Sequence, residues 1–215
     1  MTTKIIILLG SPGAGKGTQG GIIAGILGVP HISTGDIFRK ISKEDSKEAK
    51  MLKQIMSEGK LVPSELVNDI IKKFILSEEY SKGIILDGYP RTIDQAEFID
   101  NNINVKVSVI YFDIADEVAI KRISGRYSCR DCGKSYNKYF SNSLVDGVCD
   151  ACGSTNLHLR DDDNEEIILQ RIEEYKKKTL PLVEYYKKNG NFFQIDAGNS
   201  IDKVKEDIAL VVKNI

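Results

Sequence analysis

The chain has 215 residues, 41% of them hydrophobic, enough to bury a sizeable core in one domain with room for an insertion. Its 30 basic residues against 31 acidic ones leave a net charge of −1, which argues against a broad nucleic-acid or anionic-membrane surface but not against a local anion pocket. No stretch approaches the roughly 18 apolar residues of a membrane span, and KIIILLG at 4–10 is too short for a signal-peptide core, so a cytoplasmic protein with no membrane partner is expected.

In chain order, the first element is the apolar strand Lys4–Leu9. It runs into GSPGAGKGT, where Gly10-x4-Gly15-Lys16 has the spacing of a phosphate loop. Backbone N–H groups of such a turn form an anion cradle at a helix N-terminus, and the lysine reaches the outer phosphates. Gly17 stands where the pattern has Ser or Thr. The hydroxyl that usually meets Mg²⁺ is therefore missing, and the metal must be held through Thr18, through water or from elsewhere. A helix follows in QGGIIAGILGVP. Its Ile22, Ile23, Ile26 and Leu27 are expected on one face, with Gly20, Gly21, Ala24, Gly25 and Gly28 on the other. Glycine costs roughly 1 kcal/mol relative to alanine inside a helix, so Gly20, Gly21 and Gly25 imply either close packing against a neighbour or a weakened face.

The next helical segment begins at Pro63, a good first helical residue, and runs through Leu76. Strand Gly83–Asp87 ends on an aspartate that suits the acid of the second nucleotide motif, although Gly88 beside it also fits a plain strand-end turn. Thr92 opens a helix, and its TIDQ reads as a capping box with Gln95. Strand Val105–Asp113 follows. Beyond Asp163, DNEE reads as another capping box. It opens a helix that Pro181 should kink or divide and that stops at Asn189-Gly190. The last strand is Asn191–Asp196. This alternation predicts an α/β fold: a doubly wound parallel sheet with helices on both faces, of the P-loop NTPase type.

Residues 126–160 break the alternation and read as a small inserted subdomain. Cys129-x2-Cys132 and Cys149-x2-Cys152 fit the spacing of a four-thiolate Zn²⁺ site. Such a closed set leaves no open position, so the metal is structural; iron could occupy the same cage. Disulfides are disfavoured in a reducing compartment. Tyr127, Tyr136, Tyr139 and Phe140, interleaved with Arg130, Lys134 and Lys138, read first as the core of a zinc ribbon. A stacking platform for single-stranded nucleic acid is the alternative. His31 and His158 read as packing residues.

Phosphoryl transfer leaves charge on equatorial oxygens and calls for several cations around the phosphates. The candidates are Arg39 in STGDIFR, Arg91 in DGYPRT, Arg122 and Arg126 in KRISGR, Arg160 before DDD, and Arg171 in LQRI. GSPGAGKGT, STGD with Arg39, DGYPRT with Gln95, and Arg160-Asp-Asp-Asp followed by Arg171 stand in the order and spacing of adenylate kinases. Over nearly its whole length the chain resembles the long form of that family, with a zinc-binding lid.

The resemblance implies reversible transfer of the terminal phosphoryl group of ATP to AMP, giving two ADP, with Mg²⁺ accompanying ATP. It implies that Gly13, Ala14, Gly15, Lys16, Gly17 and Thr18 hold the ATP phosphates and that Arg122 lies against the ATP adenine. Thr34, Arg39, Gly88, Arg91 and Gln95 would bind AMP. Arg126, Arg160 and Arg171 would close over the transferring group, organised by Asp162 and Asp163, and Asp87 would hold Mg²⁺ through water. The implied division is a core of 1–33, 63–125 and 164–215, a nucleoside monophosphate-binding segment of 34–62, and a lid of 126–163, in a monomer that binds no nucleic acid. A kinase for another nucleoside monophosphate and a zinc-ribbon nucleic-acid-binding ATPase are the competing functions.

Overall fold

Five consecutive apolar residues, Ile5 to Leu9, fill strand β1 (Lys4–Gly10), and all five are buried because both faces of the strand are covered. The computed structural model describes residues 4–160, 162–188 and 191–215. Strand β1 lies at the centre of a five-stranded parallel sheet with β2 (His31–Ser33), β3 (Ile84–Asp87), β4 (Lys106–Asp113) and β8 (Phe192–Asp196), in the order β2-β3-β1-β4-β8. Its register sets Ile5 opposite Ile84 on one side and Val107 on the other.

Successive residues alternate between two cores. Ile5, Ile7 and Leu9 pack with Ile84, Leu86, Val109 and Tyr111 against α4 (Ser64–Leu76), α5 (Ile93–Asn102) and α8 (Pro181–Lys187). Ile6 and Leu8 pack with Ile85, Ile110 and Phe112 against α1 (Lys16–Leu27) and α9 (Ile201–Val212). Burying each such side chain contributes about 1.5–3 kcal/mol, and period-two alternation sends that gain to both faces. The doubly wound arrangement expected from the sequence is the observed one.

Because the strands are parallel, their carboxyl ends share one edge. There β1 runs into the glycine-rich loop, β2 into α2 (Thr34–Ile41) and β3 into the turn at Gly88. Helix α3 (Lys47–Ser57) follows α2. After β4, helix α6 (Asp116–Ser124) leads to a separate antiparallel sheet of β5 (Arg126–Cys129), β6 (Ser135–Asn137) and β7 (Leu157–Leu159), in the order β6-β5-β7. Helix α7 (Glu165–Glu174) returns the chain to the main sheet. Among the described residues, no helix is long and apolar enough to cross a membrane.

Local expectations needed several corrections. The strand β2 was not anticipated, since three half-buried residues carry no period. Pro63 stands at the cap of α4 rather than inside its first turn. Thr92 caps α5 without a side-chain bond to a helix N–H, and the Gln95 side-chain oxygen Oε1 accepts instead from the Arg91 N–H, 2.8 Å away. The cap of α7 is Asn164, whose side chain accepts from the Ile167 N–H, because the Asp163 carboxylate is taken by two arginines. Pro181 does divide its helix: a π-turn at Tyr175–Thr179 precedes it and α8 starts on the proline. The stop expected at 189–190 lies outside the described residues.

The packed face of α1 also differs from the expected one. Its buried residues are Gln19, Gly20 and Ile23, while Ile26 is 52% exposed. Gly20 therefore belongs to the packed side, and Gly21 and Gly25 face open space.

Candidate active site

In the glycine-rich loop, Gly13 and Gly15 both adopt φ of +84°, and a Cβ on Gly13 would meet the Ala119 carbonyl oxygen at 2.6 Å. Lys16 closes the loop on itself, donating from Nζ to the carbonyls of Gly10 (2.7 Å) and Ser11 (2.8 Å). Burial pushes its pKa down to about 8. Asp87 opposes that shift, while Arg91, Arg171 and Arg126 add to it.

Asp87 lies beside the departure in the loop. A Cβ on Gly17 would be 3.6 Å from its Oδ2, so this carboxylate borders the place where the customary hydroxyl is missing. His31 Nε2 is 3.5 Å from the same oxygen.

The β3 end is equally tight. Gly88 has φ of +80°, and a Cβ there would lie 2.7 Å from Thr34 Oγ1 and 2.9 Å from Arg91 Nη2. Thr34 and the Arg91 Nε both donate to the Gly88 carbonyl, at 2.9 Å each. The Tyr89–Pro90 peptide is cis. The Arg91 backbone is held from both sides, by Gln95 at its N–H and by the Thr179 hydroxyl at its carbonyl (2.8 Å). Gln95 also donates to Ser64 Oγ at 3.2 Å. Arg39 pairs with Asp36 at 2.5 Å.

Asp163 organises the opposite wall. Its side chain is 3% exposed and accepts from Arg126 (2.7 and 2.5 Å) and Arg171 (2.9 Å). Asp162 takes a further bond from Arg171 at 3.1 Å. Burial opposes ionisation of Asp162, but Arg171, Arg126, Arg39 and Arg160 together hold its carboxyl below the usual range. Arg160 donates to Ser128 and Ser135. Burial first, then repulsion from neighbouring arginines, lowers Arg91 and Arg160 to about 10 each. Lys16, Arg39, Arg91, Arg126, Arg160 and Arg171 thus share one field with Asp36, Asp87, Asp162 and Asp163, leaving two positive charges unmatched. A polyanion entering this space relieves that excess. Arg122 stands at the rim, donating to the carbonyls of Ala197 (2.7 Å) and Asn199 (3.3 Å) with its guanidinium 5.5 Å from the Phe140 ring centre.

The four cysteines gather as their spacing required. All four Sγ atoms lie within 4.8 Å of one another, with Cys129–Cys152 at 3.6 Å and Cys132–Cys149 at 3.5 Å. Four thiolates about 2.3 Å from a tetrahedral metal stand about 3.8 Å apart, so the cluster fits such an ion and the thiols are not disulfide-bonded. The Tyr136 hydroxyl donates to Cys149 Sγ at 3.3 Å and is the largest cause that draws this thiol down to about 6.

Residues 8–191 match the family model described as adenylate kinase. The chain belongs to the adenylate kinase family. It is 51% identical over 209 residues to the adenylate kinase of Rickettsia africae, a match covering 97% of this chain and 99% of the relative. The Rickettsia conorii and Rickettsia bellii adenylate kinases are 50% and 49% identical with the same coverage.

In this member of the adenylate kinase family, the structure gathers Lys16, Arg39, Arg91, Arg126, Arg160, Arg171, Asp87, Asp162 and Asp163 at one edge of the sheet. Arg122 bonds the carbonyls of Ala197 and Asn199, and Gln95 bonds the Arg91 N–H. Sequence reading missed Asp36, Ser128, Ser135 and Thr179. Asp36 lies inside STGD, three residues before Arg39, and helical spacing could have flagged that pair. The serines and Thr179 act through cross-strand or distant contacts, which leave no local signal.

Proposed function

We infer that this chain is an ATP:AMP phosphotransferase, moving the terminal phosphoryl group of ATP to AMP and back to give or consume two ADP. The observation that carries this reading is the convergence of Lys16, Arg91, Arg126, Arg160 and Arg171 on one cleft at the carboxyl edge of a parallel sheet.

The loop N–H groups of Gly13, Ala14, Gly15, Lys16, Gly17 and Thr18 hold the ATP phosphates, and Lys16 exchanges its carbonyl partners for phosphate oxygens. Arg122, with Phe140 beside it, offers a face for the ATP adenine. Arg39 and Arg91 grip the AMP phosphate, with Thr34, Gly88 and Gln95 lining its side of the cleft. Arg126, Arg160 and Arg171 neutralise the transferring group. Mg²⁺, when bound with ATP, would supply charge compensation for the phosphates. Asp87, beside Gly17, is the residue to hold it through water.

An AMP phosphate oxygen, already anionic, attacks the γ-phosphorus while the bond from that phosphorus to the β-bridging oxygen breaks. No side-chain base is needed, and the work of the protein is alignment, charge and exclusion of water. We assign 1–33, 63–125 and 164–215 to the core, 34–62 to the AMP-binding segment and 126–163 to a lid. Cys129, Cys132, Cys149 and Cys152 hold a structural Zn²⁺ that stabilises a lid with little apolar core. The free thiols suit a reducing cytoplasm, and the enzyme is read as a monomer.

Incubating the protein with ATP and each of AMP, CMP, UMP and GMP, and measuring the diphosphates formed, tests the assignment. AMP is expected to be the preferred acceptor. Preference for another base would overturn the specificity, and salt-sensitive oligonucleotide binding without acceptor-dependent turnover would overturn the kinase reading.

A further inference from the structure

Ser128 and Ser135 face each other across the β5–β6 register, with their hydroxyl oxygens 3.2 Å apart. Ser128 is 4% exposed, an uncommon site for a hydroxyl unless it is bonded. Both oxygens meet one guanidinium: Arg160 Nε donates to Ser128 Oγ at 3.1 Å and Nη2 donates to Ser135 Oγ at 2.9 Å. The planar Nε–Nη2 edge of an arginine is the fork that usually takes a carboxylate, and here it takes two neutral oxygens instead. Arg126 and Arg171 are treated differently, since both bind the Asp163 carboxylate.

We propose that Ser128 and Ser135 are positioning residues for phosphoryl transfer, a neutral cradle that fixes the Arg160 guanidinium without cancelling its charge. The inference rests on the phosphotransferase reading above. A carboxylate in the same place would hold the arginine more strongly, but it would also oppose the field that the transferring group requires. Two hydroxyls supply direction at low electrostatic cost. Burial and the neighbouring Arg126 and Arg39 outweigh the more weakly acting Asp163 and Asp162 in lowering Arg160 to about 10, consistent with a guanidinium that no bonded carboxylate neutralises. Position along the chain adds a second consequence. Ser128 precedes Cys129, and Ser135 precedes Tyr136, which bonds Cys149. The metal knuckles therefore fix the two strands whose register brings the hydroxyls together, so the lid metal bears on where Arg160 stands.

The test compares Ser128→Ala/Ser135→Ala, Ser135→Thr and Arg160→Ala, alone and combined, reading kcat, KM for both nucleotides, melting temperature and bound metal. The double alanine variant is expected to lose about 10-fold or more in kcat, with KM values within about threefold and metal content unchanged. Ser135→Thr, which keeps the hydroxyl, should stay within about threefold of the parent. In the Arg160→Ala background the serine substitutions should alter kcat by less than about twofold, because their effect acts through that arginine. An undiminished kcat in the double variant, an equal loss without Arg160, or a loss that tracks metal release would each overturn the proposal. Absence of AMP-dependent turnover in the parent chain would instead overturn the functional reading, and this inference with it.

Discussion

A Cβ built on Gly20 would stand 2.6 Å from Nε2 of His31, so helix α1 approaches β2 closely enough that an added methyl must displace that imidazole. Leu8 Cδ1 would lie 2.9 Å from that added Cβ, so the buried leucine has to shift as well. Gly21 and Gly25 differ: a Cβ on either would have nothing within 4 Å, and both sit away from the packed side. Gly20→Ala should therefore destabilise the protein by about 1–3 kcal/mol through overpacking against His31 and the sheet. Gly21→Ala and Gly25→Ala should each stabilise it by about 0.5–1 kcal/mol, through helix propensity and a less flexible unfolded chain. Urea unfolding of the three variants checks the split, and the reverse order would refute it.

The pKa of Lys16 in the free protein, about 8 against an ordinary 10.5, has a defined sign. Between those values the unfolded chain binds more protons than the folded one, so this group makes stability rise with pH across that window. Lys16→Met should remove that contribution. Nucleotide phosphates beside the ammonium favour its charged form, so ATP binding near pH 8.5 should take up protons. Calorimetry in two buffers of different ionisation enthalpy measures this, and proton release on binding would contradict the placement of Lys16.

Much of the architecture was legible because burial on both faces makes strands read as unbroken apolar runs, as in Ile5 to Leu9. The phosphate loop and the cysteine pairs were equally plain, since their chemistry depends on local spacing. What escaped was decided across space. The cap moved from Asp163 to Asn164 because Arg126 and Arg171 claim the aspartate. Gln95 serves the Arg91 N–H rather than the residue capping its own helix. The role of Gly20 depends on His31 in the neighbouring strand, and no helical period could place that ring.

Tyr136 is stacked on Tyr127 at 5.3 Å and only 4% exposed, so removing its hydroxyl leaves the ring packed. Tyr136→Phe should lower affinity for Zn²⁺ by about 10- to 100-fold, because the Cys149 thiolate loses the donor that fixes it. Competition with a chromophoric chelator reads the change. Unchanged affinity would show that the hydroxyl serves only the Asp150 N–H, which donates to it at 2.7 Å.

Asp163, 3% exposed between Arg126 and Arg171, should be worth far more than a surface pair. Asp163→Asn is expected to destabilise the fold by about 2–4 kcal/mol, since a buried carboxylate is lost and two half-buried guanidinium groups lose their shared counter-charge. Glu184→Gln, which breaks an exposed pair with Lys187, should change stability by about 0.5 kcal/mol or less. Comparable effects from the two variants would show that the arginine wall does not depend on Asp163.

The most direct test of the whole account follows the phosphoryl group itself. With ATP labelled at its terminal phosphate, label should appear in ADP only when AMP is present, while inorganic phosphate stays at background. Label passing to inorganic phosphate at the same rate with or without AMP would contradict it, because the arginines would then be serving water.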